Sequence, residues 1–464
     1  MKFLPIIVIT TGILLMQSLP SSAEQYYEIQ AIAHGDPGRF KGIATGDFNN
    51  DGYDDIAATT FKNSAEHGAV FFSGNGQGEL TRMQRQSRSG SSSSRLADPA
   101  IGDVNNDGKL DLVGFDTFSD ITNPDAPAFY NQFPVGHEPL LSDVNHDGLI
   151  DVISRYSNHG LPGFRVYRNN GDFHFSSGTV YSVNFEGSFR EMTMGDINND
   201  GQSDVVIISE TFASKNGTPL TYAVSVFLAD NGGFSRSVEY SLYDFHADNA
   251  WLRNPVSKVA LKDLDGDSFN DLVVVVGAVA DLQKPAAVNV YRGFGDGQFS
   301  RTGIVSNIGN ALQPRDITWA DINDDGYPDL LSGNSRTTAS VPDASVTLMT
   351  GNGDGSFAAA QSVWDKPVAA YSVATGEFDG DGKLDIVVFE AVRSISLLSR
   401  KPKSYSTPKC ADSSTDPDGD GWGYENNTSC RVEAKFMVCR SSRSDTDGDG
   451  WGWENNASCK VASN

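Results

Sequence analysis

DFNNDGYDD at residues 47–55 decides the fold, because its pattern, D-x-[ND]-x-D-G-x-x-D, returns along the chain. Further copies are DVNNDGKLD at 103–111, DVNHDGLID at 143–151, DINNDGQSD at 196–204, DLDGDSFND at 263–271, DINDDGYPD at 321–329 and EFDGDGKLD at 377–385. Successive copies start 56, 40, 53, 67, 58 and 56 residues apart, averaging 55, so they mark seven repeats. A short apolar segment precedes each copy and a β-rich apolar run follows, as in DVVIISE and DLVVVVGAV. A second run and a Gly-rich turn come next, as in AVNVYRGFGDGQF. Four short strands account for each repeat, and no helical period competes.

Radial repetition of such units predicts an all-β fold, a seven-bladed β-propeller of four-stranded blades. The seventh repeat passes through DIVVFEAV and SISLLSR and stops at KPKSYSTPK without a fourth strand. YYEIQAIA at 26–33 stands where that strand would lie, so the N-terminal strand is expected to close the ring and remove its open edge.

The chemistry of the nonapeptide is calcium binding. Oxygen donors at positions 1, 3 and 5, a main-chain carbonyl at 7 and a carboxylate at 9 can wrap a hard cation, and magnesium demands a tighter octahedron. The expected ligands are Asp47, Asn49, Asp51, Tyr53 and Asp55; Asp103, Asn105, Asp107, Lys109 and Asp111; Asp143, Asn145, Asp147, Leu149 and Asp151; and Asp196, Asn198, Asp200, Gln202 and Asp204. The later repeats offer Asp263, Asp265, Asp267, Phe269 and Asp271; Asp321, Asn323, Asp325, Tyr327 and Asp329; and Glu377, Asp379, Asp381, Lys383 and Asp385. Gly at position 6 supplies a positive-φ turn. Two copies depart: Ser268 replaces that Gly, and Glu377 replaces the first Asp. The seven nonapeptides hold 25 acidic residues in 63 positions, a density whose mutual repulsion a divalent ion relieves.

The 464 residues carry 60 Asp and Glu against 35 Lys and Arg, a net charge of −25, which argues against a nucleic-acid partner. Lys2, the apolar run at 3–16 and Ser21-Ser22-Ala23 read as a secretory signal peptide over 1–23, cleaved near Ala23. The mature chain is therefore expected outside the cell, and no later apolar segment reaches membrane length. The expected domains are the propeller at 24–400, a linker at 401–409 and a tail at 410–464.

Two units 29 residues apart build the tail: CADSSTDPDGDGWGYENNTSC and CRSSRSDTDGDGWGWENNASC. Each begins and ends in Cys, and pairing Cys410 with Cys430 and Cys439 with Cys459 is the simplest of three connectivities. A bridge closing such a loop contributes roughly 3 kcal/mol to a unit too small for a large core. Asp416, Asp418 and Asp420, and likewise Asp445, Asp447 and Asp449, could hold a further calcium in each unit.

With these residues in view, the chain resembles the FG-GAP/VCBS repeat family, which includes the propeller at the head of integrin α subunits. The resemblance rests on the G-D-x-N-x-D-G-x-x-D cores at 46–55, 102–111 and 195–204 and the turns at 295–299 and 353–357. It implies the propeller and its calcium loops; the family's functions are diverse. GWGYENNTSC and GWGWENNASC resemble family 10 carbohydrate-binding modules, which implies that Trp422, Tyr424, Trp451 and Trp453 stack on sugar rings. That family commonly has more cysteines than the two in each unit here. Rings that serve only as the unit's own small core are the other reading.

On the face opposite the calcium loops, long irregular segments are expected at 85–99, 115–127, 155–163, 210–220, 241–255 and 332–345. The fifth of these carries Tyr243, His246, Trp251 and Arg253, a mixture suited to a sugar or peptide. The sequence holds no G-x-S-x-G, H-E-x-x-H or phosphate loop. The reading is a secreted, calcium-binding, non-catalytic carbohydrate-binding or adhesion protein whose partner is a polysaccharide or cell-surface glycan. Its rival is a polysaccharide-cleaving lyase or hydrolase on the same scaffold.

Overall fold

The computed structural model describes residues 39–63, 66–89, 99–114, 139–158, 160–171, 174–184, 187–211, 221–230, 232–241, 256–278, 285–309, 312–336, 345–364, 369–390 and 394–402. It also describes short strands at 17–18, 25–31, 118–119, 129–130, 422–425, 428–431, 437–438, 451–454 and 457–460. Every regular element among them is a β-strand. The chain forms two compact units, Met1–Pro402 and Lys403–Asn464, so strand structure runs two residues past the expected boundary at 400.

The first unit is built from antiparallel four-stranded sheets. In one of them Gly187–Gly195, Asp204–Thr211, Thr221–Asp230 and Gly233–Ser241 pair in chain order. Five more sheets follow the same meander among the described residues, each with its nonapeptide between the first and second strands. The final sheet takes three strands from the end of the unit, Ala370–Gly376, Asp385–Glu390 and Ile395–Pro402. Gln25–Ala31 then pairs antiparallel with Ile395–Pro402, setting Tyr27 opposite Arg400 and Ile29 opposite Leu398. Gln17–Ser18 pairs in turn with Tyr26 and Tyr27.

Second and third strands read as continuous apolar runs because both of their faces are covered. Asp271–Val276 is buried at every position. Since successive side chains point to opposite faces, the run divides between two cores. Leu272, Val274 and Val276 pack with Val206, Val224 and Val226 of the preceding sheet. Val273 and Val275 pack with Leu330 and Met349 of the following one. The same sharing joins the first and last sheets, where Ile56, Val70 and Phe72 meet Val387, Phe389 and Leu397. Burying each of these side chains is worth roughly 1.5–3 kcal/mol, so the interfaces between sheets hold the unit together.

One expected irregular segment is regular. Residues 155–163 belong to a hairpin of Asp151–Asn158 and Leu161–Tyr167, with Asn158 paired to Leu161 across a two-residue connection. Gly160 there has φ +83°, the conformation that a tight hairpin turn requires. Strands also claim residues 85–89, 118–119, 210–211, 241 and 332–336 from the other expected loops. Tyr243, His246, Trp251 and Arg253 lie outside the described residues.

In the second unit, Trp422–Glu425 pairs antiparallel with Thr428–Arg431, and Trp451–Glu454 with Ala457–Lys460. Met437–Val438 lies parallel to the last strand. Trp422 and Tyr424 hold alternate positions of one strand, with Gly423 opposite Cys430; Trp451, Trp453 and the Gly452–Cys459 pair repeat that arrangement. Cys410, Cys439 and the six tail aspartates lie outside the described residues.

Candidate metal centres

Each nonapeptide is held on its sheet from below. The residue at position 2 (Phe48, Val104, Val144, Ile197, Leu264, Ile322 or Phe378) is apolar and buried in every copy. The position-9 aspartate lies beside it, 0–2% exposed in all seven copies. One of its oxygens accepts the main-chain N–H of position 2, as in Phe48 to Asp55 at 3.0 Å and Ile197 to Asp204 at 2.9 Å. In six of the copies the other accepts an N–H at the end of the third strand, from Gly74, Asn169, Ala229, Gly293, Gly351 or Arg400, at 2.7–3.0 Å. The position-9 carboxylate therefore clamps the loop to the third strand, a role additional to the ligation expected of it.

The outer half of the loop is a set of backbone-to-carboxylate turns. Asp47 accepts from the N–H groups of Asp51 and Gly52 at 3.1 and 2.8 Å. Asn49 accepts from Asp51 at 2.8 Å, and Asp51 accepts from Tyr53 at 3.0 Å. The pattern recurs in later copies, as at Asp196, Asn198 and Asp200. Two left-handed residues make the wrap possible. Position 6 is one of them, as expected, and Ser268 takes φ +73° there despite its side chain. The other is position 4, with φ between +56° and +75° at Asn50, Asn106, His146, Asn199, Gly266, Asp324 and Gly380. Those are the residue types that tolerate this conformation.

Neighbouring loops touch. The Asn50 amide donates to the Gly108 carbonyl of the next repeat, and Asn199 to that of Ser268. Gly355 of the sixth repeat donates to the Leu264 carbonyl of the fifth. Gly78 of the first repeat makes the equivalent bond to the Phe378 carbonyl of the seventh, and Asp54 accepts from the Glu377 N–H. The Gly-rich turns lie on the loop side too: the Tyr53 ring covers Gly76, Phe269 covers Gly295 and Tyr327 covers Gly353, where any Cβ would strike the ring.

These loops fit a divalent cation. Carboxylate oxygens of Asp263, Asp265 and Asp267, and of Glu377, Asp379 and Asp385, lie within 4.8 Å of one another. Glu377 therefore reaches the cluster despite its extra methylene. Like charges so close need a counter-charge, and the donors are hard oxygens of the type calcium takes. Burial pushes the Asp55, Asp204, Asp271 and Asp329 carboxyls up to about 6 and Asp385 up to about 7, with Asp151 raised for the same reason. In the unfolded chain these groups ionise near pH 4, so between that point and pH 6–7 the metal-free fold binds more protons than the unfolded chain. Its stability then falls as pH rises through this window. A bound cation selects the ionised form and offsets that loss. The chelated protein is accordingly expected to melt higher at pH 5 than at pH 7.5, with a larger calcium-induced rise at pH 7.5. A calcium increment independent of pH, measured by scanning calorimetry, would contradict this coupling.

A profile for the FG-GAP-like repeat matches residues 47–114, 143–207, 263–332 and 338–388, more than half of the chain. The chain belongs to the FG-GAP-like repeat family. A second profile, described as a cellulose or protein binding domain, matches residues 401–432, the first tail unit. No curated protein matches the chain. Among solved structures, it is similar to the Dos1 propeller (10% identity, 84% of this chain and 92% of that one, TM-score 0.42). It is also similar to the Bacillus licheniformis rhamnogalacturonan lyase PL11 (12%, 82% and 60%, TM-score 0.31). The exotype rhamnogalacturonan lyase YesX gives 13% identity, 81% and 56% coverage and a TM-score of 0.31. No helix among the described residues is long and apolar enough to cross a membrane.

Proposed function

We propose that the chain is an extracellular, calcium-stabilised, seven-bladed propeller that carries a polysaccharide-binding tail and acts as a non-catalytic binding or adhesion protein. Seven nonapeptides, the strand that Gln25–Ala31 adds to the last sheet, and the core shared by first and last sheets support a closed ring. In each loop calcium would be held by the side chains at positions 1, 3, 5 and 9 and the carbonyl at position 7. It would supply positive charge that cross-links first, second and third strands. The leader-like residues 1–23 support export.

The match of the tail to a cellulose or protein binding domain carries the polysaccharide reading. Aromatics at alternate strand positions, repeated in two units, suit stacking on successive sugars, and two linked units bind more tightly than one. The test is retention of the full chain on insoluble cellulose and chitin. Trp422→Ala or Trp451→Ala is expected to weaken retention about tenfold, and the double variant to abolish it. Equal retention of the double variant and the parent chain would contradict the stacking role. Release of sugar from either polymer would favour the enzymatic alternative.

A further inference from the structure

The geometry points to two classes of metal loop: we infer that Arg292 and Arg168 act as tethered cations that weaken calcium binding in the fifth and third repeats. This rests on the calcium reading above. In six repeats a main-chain N–H at the end of the third strand donates to the position-9 aspartate, and the residue before that donor is structurally equivalent, because the hydrogen bond fixes the register. These residues are Ser73, Arg168, Leu228, Arg292, Thr350 and Ser399. The position faces the loop, since the Asn49 amide of the first repeat donates to the Ser73 hydroxyl at 3.1 Å.

At four of the six equivalent positions the side chain is uncharged. In the fifth repeat the Arg292 guanidinium spans two of the expected calcium ligands, with Nε 3.2 Å from Asp265 and Nη2 2.8 Å from Asp267. In the third repeat Arg168 lies 3.5 Å from the buried carboxylate of Asp151. A guanidinium uses the lone pairs a cation needs, and a cation entering the loop meets its charge. The fifth loop has a third Asp where five other copies have Asn, so the arginine stands beside one of the most acidic sites. Neutralising that cluster within the chain lets the fifth sheet fold at low calcium, while the loops without arginine fill first. The protein then responds to calcium over a wider concentration range than identical sites would give.

Calorimetric titration of the chelated full chain tests the inference, using Arg292→Ser and Arg168→Ser, which install the side chain found in the first and seventh repeats. Each is expected to convert one weak site into a tight one, with about a tenfold gain in its affinity. Ser73→Arg in the first repeat is expected to remove one tight site, and circular dichroism reports whether each variant is folded. Isotherms of folded Arg292→Ser and Arg168→Ser superposing on that of the parent chain would overturn the inference and leave the calcium reading intact. Absence of any calcium uptake by parent and variants alike would overturn both.

Discussion

Removal of calcium is expected to lower the melting temperature of the full chain by on the order of 10 °C or more. Each loop joins the first and second strands of its sheet and six are clamped to the third, so an ion there stabilises the folded chain and not the unfolded one. A ligand of that kind contributes about 2.7 kcal/mol per site at a hundredfold excess over its dissociation constant. Several sites acting on one cooperative unit make this the largest single effect open to experiment. Scanning calorimetry after exhaustive chelation, with calcium then restored, measures it; the drop should reverse on restoration.

Substitution within one loop should separate the clamp from the ligands. Asp204 is fully buried and accepts two main-chain N–H groups, from Ile197 at 2.9 Å and Ala229 at 2.7 Å. Asp204→Ala leaves both donors unpaired, at a cost of about 1–3 kcal/mol each, and should destabilise the chain by roughly 2–6 kcal/mol even in chelator, with a further loss in calcium because position 9 is also an expected ligand. Asp200 is exposed and accepts from Gln202 at 2.8 Å, a bond that water can replace. Asp200→Ala should therefore cost under about 1 kcal/mol in chelator and show its main effect only when calcium is present. Denaturant unfolding of both variants in the two buffers checks this. Equal losses for Asp200→Ala in chelator and in calcium would separate the outer carboxylates from metal binding.

The all-β content and the four-stranded sheets were legible because a nine-residue pattern fixed the phase of the strands around it. Position 4 holds Asn, His, Asp or Gly, which share no single chemistry but do share tolerance of the left-handed region, and that tolerance is the signal the sequence carries there. Position 2 varies among Phe, Val, Ile and Leu but is apolar in every copy, and that shared apolarity is the signal of its burial. RYSNHGLPG at 155–163 looked irregular because Asn, Gly and Pro cluster there. Its strands are instead set by pairing across a two-residue connection. Arg168 and Arg292 gave no local cue, since their partners lie 17 to 27 residues away and meet them only through the register of second and third strands.

Calcium content bears most directly on the central claim. Equilibrium dialysis of the chelated full chain against buffered calcium, read by atomic emission, should find about five ions per chain taken up tightly, with about two more at higher concentration. Less than one ion per chain at millimolar free calcium would contradict the account.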